Sequence, residues 1–180
     1  MVRPRHWLGL LLALAAVGVA PTAEAQGHPQ SREGFWIGFG FGYGTLGCQD
    51  CDERIGGGAG YLRMGGSLSQ HVLIGGEVSA WARSEDGVTL RFGVVGPVIV
   101  FYPSATGGFY LKGSIGAASL RLDLGPFSGT DNGVGASFGL GYDARVGRNF
   151  SLTPFVDLVG GRFDGYNVNS AHVGLGLSFH

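Results

Sequence analysis

From Gly34 onward, the ionisable residues inside the alternating stretches of this chain keep to one phase, with the exception of Arg121 at a strand end. Arg63, Glu77, Arg83, Arg91, Lys112, Asp143, Arg145, Asp157 and His172 each fall out of step with the large apolar side chains around them. Successive side chains of a strand point to opposite faces, so this pattern predicts a sheet with one charged face and one uncharged face. Eight stretches carry it: Phe35–Thr45, Gly58–Leu68, Val72–Arg83, Val88–Tyr102, Phe109–Arg121, Gly133–Gly147, Ser151–Gly160 and Asn167–His180. In the first, Phe35, Ile37, Phe39, Phe41 and Tyr43 oppose Trp36 and four glycines; in the fourth, Leu90, Phe92, Val94, Val98 and Val100 are set against Thr89, Arg91 and Gly93. No helical period of useful length competes.

The uncharged face determines the solvent. A lipocalin-like soluble barrel would turn its apolar face inward and leave Gly38, Gly40, Gly42, Gly44, Gly139, Gly141, Gly174 and Gly176 on its wet outside. Water gives no reason to avoid long polar residues there, whereas the narrow interior of eight closed strands does. Charged residues are 14% of the chain, against roughly 25% in ordinary soluble domains, too few to wet a small surface. Most stretches reach the roughly 9–11 residues that a tilted strand needs to cross a bilayer. The connections after the first and fifth are long and polar, and those after the second, fourth and sixth are short. The expected fold is all-β: an eight-stranded antiparallel transmembrane up-and-down β-barrel, with glycines and charges inside.

The N-terminus points to export. Arg3 and Arg5 precede an apolar run, Leu8–Ala20, and a small-residue cut site at Ala23-Glu24-Ala25. Residues 1–25 read as a cleaved signal peptide, 26–33 as a flexible periplasmic arm and 34–180 as the barrel. Export into an oxidising compartment, with two cysteines spaced Cys48-Gln-Asp-Cys51, predicts a short-loop disulfide; no thioredoxin-like context or second ligand pair supports a redox or zinc site. A net charge of −1 supplies no basic field for nucleic acid.

Inside the barrel the charges can pair. A tight turn at Ser69–His71 sets Arg63 opposite Glu77, with Arg91 diagonal to it on the next strand. Across the following loops Lys112 is expected to face Asp143, and Asp157 to face His172. Buried charges persist when paired, so the clusters suggest a filled, sealed lumen, with a narrow ion path as the competing reading. Ser170, His172 and Asp157 contain the elements of a general-base site, but they point inward where an acyl substrate cannot reach. No catalytic residue, cofactor or metal site is predicted.

Several stretches carry a likeness: FYPS followed by GGFYLKG, then GLGYDARVGRNFSLTP, and the closing GLGLSFH. On these, Gly34–His180 resembles the small eight-stranded bacterial outer-membrane barrels of the OmpA/OmpX type, including barrel domains of unassigned function. In such proteins the last strand closes the cylinder and resembles the signal read by the assembly machinery. His172, Gly174, Leu177 and Phe179 fit that signal, except that Phe179 is penultimate and His180 follows. The resemblance implies a cell outer-membrane location, contact with outer-membrane lipids and lipopolysaccharide, and the barrel assembly machinery as a partner during biogenesis. It implies no reaction. The role expected for a monomer of this kind is structural or interactive, with a narrow channel as the alternative and a lipid-modifying enzyme third.

Overall fold

The computed structural model describes residues 32–48 and 53–180. The expected signal peptide and residues 26–31 of the arm lie outside them, as does Cys51, the expected partner of Cys48. The strands are β1 (Phe35–Cys48), β2 (Ile55–Ser67), β3 (Val72–Glu85), β4 (Val88–Phe101), β5 (Phe109–Leu124), β6 (Phe127–Tyr142), β7 (Ala144–Arg145), β8 (Phe150–Arg162) and β9 (Asn167–Phe179). Each pairs antiparallel with its neighbour; β9 pairs with β1, and β6 with β8, so the sheet closes. The two-residue β7 continues β6 beyond Asp143 and pairs with β8. The cylinder therefore has eight walls, and both described chain ends lie at one rim.

Closing so small a ring needs hard curvature, and glycine supplies it where backbones crowd together. Gly42 faces Gly174 across the β1–β9 seam and Gly65 faces Gly75 across β2–β3. A Cβ on Gly42 would stand 2.0 Å from the Val173 carbonyl oxygen, and one on Gly65 would stand 1.9 Å from that of Ile74. Only glycine fits at such bends.

The outer face is apolar, and Phe41, Ile115, Val134, Phe138, Leu158, Val173 and Leu175 stand exposed on it. Near the rim that carries the chain ends, Phe35, Phe101, Phe109, Tyr142 and Phe179 form an exposed aromatic girdle of the kind that sits at a membrane interface. Phe179 stacks on Phe150 and on Phe39 of the first strand, with ring centroids 5.8 and 6.5 Å apart. Phe179→Asp removes both contacts at the closing seam and should block assembly. On SDS gels the unboiled variant should then run with the boiled form; a normal heat-dependent shift would show that closure does not need this ring.

A loop and the phase of one strand differ from the sequence expectation. The expected loop Leu122–Asn132 is a hairpin: β5 runs to Leu124, β6 starts at Phe127, and the chain reverses at Gly125-Pro126 with Gly125 at φ 62°. The expected phase of β4 is also inverted. Phe92, Val94, Val98 and Val100 face the interior, and Arg91 faces out. The β3–β4 turn fixes this: Asp86 (φ 49°) and Gly87 (φ 80°) make a two-residue hairpin connection that pairs Glu85 with Val88. With Glu77 inside, even-numbered residues of β4 must be inside too.

Candidate functional site

The interior is filled in layers. The half away from the chain ends holds an apolar cluster that includes Leu46, Trp81, Phe92, Val94, Phe163 and Val168. The other half holds Trp36, Leu73, Val98, Val100, Tyr102 and Tyr110. Bulky side chains from some strands occupy room left by glycines on others. A Cβ on Gly40 would strike the rings of Tyr61 and Phe155, and one on Gly44 would strike His172 and Trp81. The indoles of Trp81 and Trp36 donate to the carbonyls of Gly44 and Gly66 at 3.1 and 3.3 Å.

Between the apolar layers lies an ionic centre. Lys112 Nζ stands 2.5 Å from Glu77 Oε1 and 3.1 Å from Asp157 Oδ2. Ser137 donates to the same Glu77 oxygen at 3.0 Å. These residues come from β3, β5, β6 and β8, so the centre ties opposite parts of the wall together. Gly139 permits it: it is in register with both Lys112 and Asp157, and a Cβ there would lie 1.9 Å from Asp157 Oδ1. Relative exposures are 2% for Arg63, 3% for Glu77, 2% for Lys112, 1% for Asp157 and 2% for His172. Charges this dry require partners.

The expected pairings hold in register more often than in contact. Arg63 is opposite Glu77, yet Glu77 turns to Lys112. The Arg63 guanidinium carbon instead lies 4.6 Å from the ring centroids of both Tyr61 and Tyr110, and 5.9 Å from Trp36. These are cation–π distances, strengthened by desolvation. Asp157 is opposite His172, but His172 Nε2 shares a 2.8 Å hydrogen bond with Ser170 Oγ while Asp157 goes to Lys112. Ser170 and His172 are each 2% exposed, so this Ser–His pair offers no surface to a substrate.

Asp143 is not opposite Lys112. The reversal at Gly125-Pro126 shortens the β5–β6 connection and brings Gly139 there instead. Asp143 lies between β6 and β7 and accepts hydrogen bonds from Tyr102 and Thr153, both at 2.6 Å. His180 Nε2 is 3.6 Å from the same carboxylate, and its ring meets Tyr102 edge-on. The final residue, which departs from the usual closing signal, thus helps to fill the rim. Arg32, the first of the described residues, does so too. It is 1% exposed, its guanidinium lies 3.6 Å over the Tyr102 ring, and it donates to the carbonyls of Gln70, Ala105 and Gly107. The end of the expected flexible arm is therefore docked at Arg32. Nearby, Arg145 donates to the Arg148 carbonyl at 2.7 Å.

Arg91 belongs to neither cluster. It projects outward in register with Arg121, far from Glu77 in phase. The signal that would have placed it is the Asp86-Gly87 turn, which fixes the parity of β4 when the alternation of that strand cannot.

No protein-family model matches the sequence, and no curated protein does. Solved structures do. Ail, the attachment invasion locus protein of Yersinia pestis, is 16% identical, with a TM-score of 0.62 over 82% of this chain and 99% of that one. Neisserial surface protein A is 14% identical, with a TM-score of 0.62 over 83% and 99%. The N-terminal β-barrel domain of OprF from Pseudomonas aeruginosa is 16% identical, with a TM-score of 0.50 over 83% and 100%. The likeness is one of fold: this chain has the architecture of the small eight-stranded outer-membrane barrels.

Proposed function

We propose that this protein is an exported bacterial outer-membrane barrel with a lumen closed to solutes, acting through its outer wall and rim in a structural or interaction role. The observation that carries this reading is the dryness of the interior. Charged side chains at the ionic centre are 1–3% exposed and lie between two apolar layers. A conducting pore keeps its polar lining wet, because ions cross only where water or coordinating groups replace their hydration. Here the charges are spent on one another and on aromatic rings. A role in interaction also suits the fold, since Ail has been crystallised in complex with the heparin analogue sucrose octasulfate.

The test is purified mature protein in planar bilayers with a salt gradient. The closed reading expects no conductance steps above the lipid baseline. Steady ohmic conductance from the wild type would replace it with a narrow channel, the ionic centre then being a constriction on the path.

A further inference from the structure

We propose that the rim carrying both described chain ends is built as a receptor for a guanidinium group, and that Arg32 occupies it in cis as the lid of that end of the lumen. This rests on the reading of the lumen as closed and names the piece that closes one end of it.

The receptor is made of turn backbone and one ring. Gln70 lies in the connection between β2 and β3, and Ala105 and Gly107 lie in the connection between β4 and β5. Their three carbonyl oxygens converge on one guanidinium: Arg32 Nη1 donates to Gln70 at 3.2 Å and to Ala105 at 3.0 Å, and Nη2 donates to Gly107. The Tyr102 ring forms the floor, 3.6 Å from the guanidinium carbon. Tyr102 donates its hydroxyl to Asp143 at 2.6 Å, so a buried carboxylate stands behind the ring that the cation faces. A planar cation with a fork of donors in its plane and an apolar face fits such a pocket; an ammonium has neither the flat face nor the fork.

The socket is held in shape by bonds that do not involve its occupant. Tyr102 donates its backbone N–H to the His71 carbonyl at 2.8 Å, and His71 Nδ1 shares a 2.8 Å hydrogen bond with the Tyr102 carbonyl, which ties the two turns together. Ser69 Oγ accepts from the backbone N–H groups of His71 and Val72, and Ser104 Oγ accepts from that of Gly107 at 3.1 Å. A ligand that binds groups already fixed in place avoids the entropic cost of ordering them, so a free guanidinium has a ready site wherever Arg32 leaves it.

The occupant is set apart from the wall. Gly34, at φ 75°, turns the chain between Arg32 and β1, a conformation that a side chain would strain. Gln70 accepts the Arg32 backbone N–H at 2.9 Å and reaches Glu33 at 3.4 Å, so the segment leans on one turn residue. Beneath the lid a polar thread runs inward: Asp143 accepts from Thr153 at 2.6 Å, and Thr153 Oγ1 lies 3.0 Å from the buried Ser178 Oγ. A Cβ on Gly38 would stand 3.2 Å from both Ser178 Oγ and Arg63 Nε, so the thread ends against the Arg63 cage. Withdrawing Arg32 gives water a polar way in from this end, and the apolar layer around Trp81, Phe92 and Phe163 still stops it short of the other.

The test uses the full mature protein in detergent micelles, with the heat-dependent gel shift reporting folding and its conversion temperature reporting stability. Arg32→Ala should keep the shift and convert about 5 °C or more below wild type. Methylguanidinium at about 10 mM should recover at least half of that drop, as a ligand that binds only the folded state does, and methylammonium at the same concentration should recover none. Arg32→Lys should behave as Arg32→Ala does. Access is read in a Cys48→Ser, Cys51→Ser background by the rate at which a charged methanethiosulfonate labels Ser178→Cys, with Ser170→Cys in the other half of the lumen as control. The lid expects Arg32→Ala to speed labelling of Ser178→Cys at least tenfold, methylguanidinium to slow it again, and Ser170→Cys to stay unlabelled throughout. An unchanged conversion temperature in Arg32→Ala, equal recovery by both cations, or wild-type behaviour of Arg32→Lys would each overturn the receptor. A Ser178→Cys rate indifferent to Arg32 would overturn the lid and leave the closed lumen standing. Rapid labelling of Ser170→Cys with Arg32 in place would instead overturn the closed lumen, and the lid with it.

Discussion

Lys112→Met should be the most destabilising single change among the buried charged residues. The lysine is the shared cation of Glu77 and Asp157, whose side chains are each only 1% exposed. Without it two carboxylates stay buried with no directly bonded cation, the Arg63 guanidinium being held against aromatic rings. Breaking a buried ion pair by removing one partner costs about 3–5 kcal/mol, and here one removal orphans two partners, so the upper end applies. The temperature at which the unboiled form converts to boiled mobility should fall by more than about 10 °C. Adding Glu77→Gln and Asp157→Asn to the same chain should restore most of the loss, because the remaining groups are neutral. A Lys112→Met variant that converts at the wild-type temperature would mean that the ionic centre contributes nothing to holding the walls together.

Gly42→Val should prevent the ring from closing. The new Cβ would stand 2.0 Å from the Val173 carbonyl oxygen and 2.5 Å from the Gly174 Cα, both backbone atoms of the partner strand. Backbone in a closed ladder cannot give way as a flexible side chain can, so the cost lies at or beyond the upper end of the roughly 1–3 kcal/mol typical of overpacking. Gly76→Val is the matched control: that position is exposed, and nothing lies within 4 Å of the added Cβ. The Gly42 variant should fail to show the heat-dependent gel shift, and the Gly76 variant should keep it. Equal behaviour of the two would show that close approach at the seam is not what demands glycine there.

Strands and faces are legible in this sequence wherever alternation is clean. The glycine phase of β1, β6 and β9 marks the inside because the interior has room for little else on those strands. The cross-strand register of Arg63 with Glu77 follows from a tight turn, and that of Asp157 with His172 from the spacing of their strands. Strand β4 is illegible by alternation because Val94-Val95 and Val98-Ile99-Val100-Phe101 are apolar on both phases, one for lipid and one for the packed interior. Lys112 found unexpected partners because a reversal at Gly125-Pro126 is four positions of register away from one that would face it to Asp143. The cage around Arg63 draws rings from β1, β2 and β5, and no local pattern brings three strands to one point.

The brevity of the described outer connections has a consequence for how this protein can meet anything. Two of them, Asp86-Gly87 and Gly125-Pro126, are two residues long, and the β8–β9 connection spans only 163–166. Even the tip of the β5–β6 hairpin, fifteen residues from Phe109, rises only about 10–15 Å above an apolar band of about 25 Å. In an outer leaflet of sugar-bearing lipids, as the proposed location implies, a macromolecule arriving from the medium would meet those sugars before it met these turns. What reaches the wall without obstruction is whatever already shares the leaflet. Encounters at that surface are collisions in two dimensions, governed by lateral diffusion and by the lipid composition of the patch around the barrel rather than by concentration in the bulk.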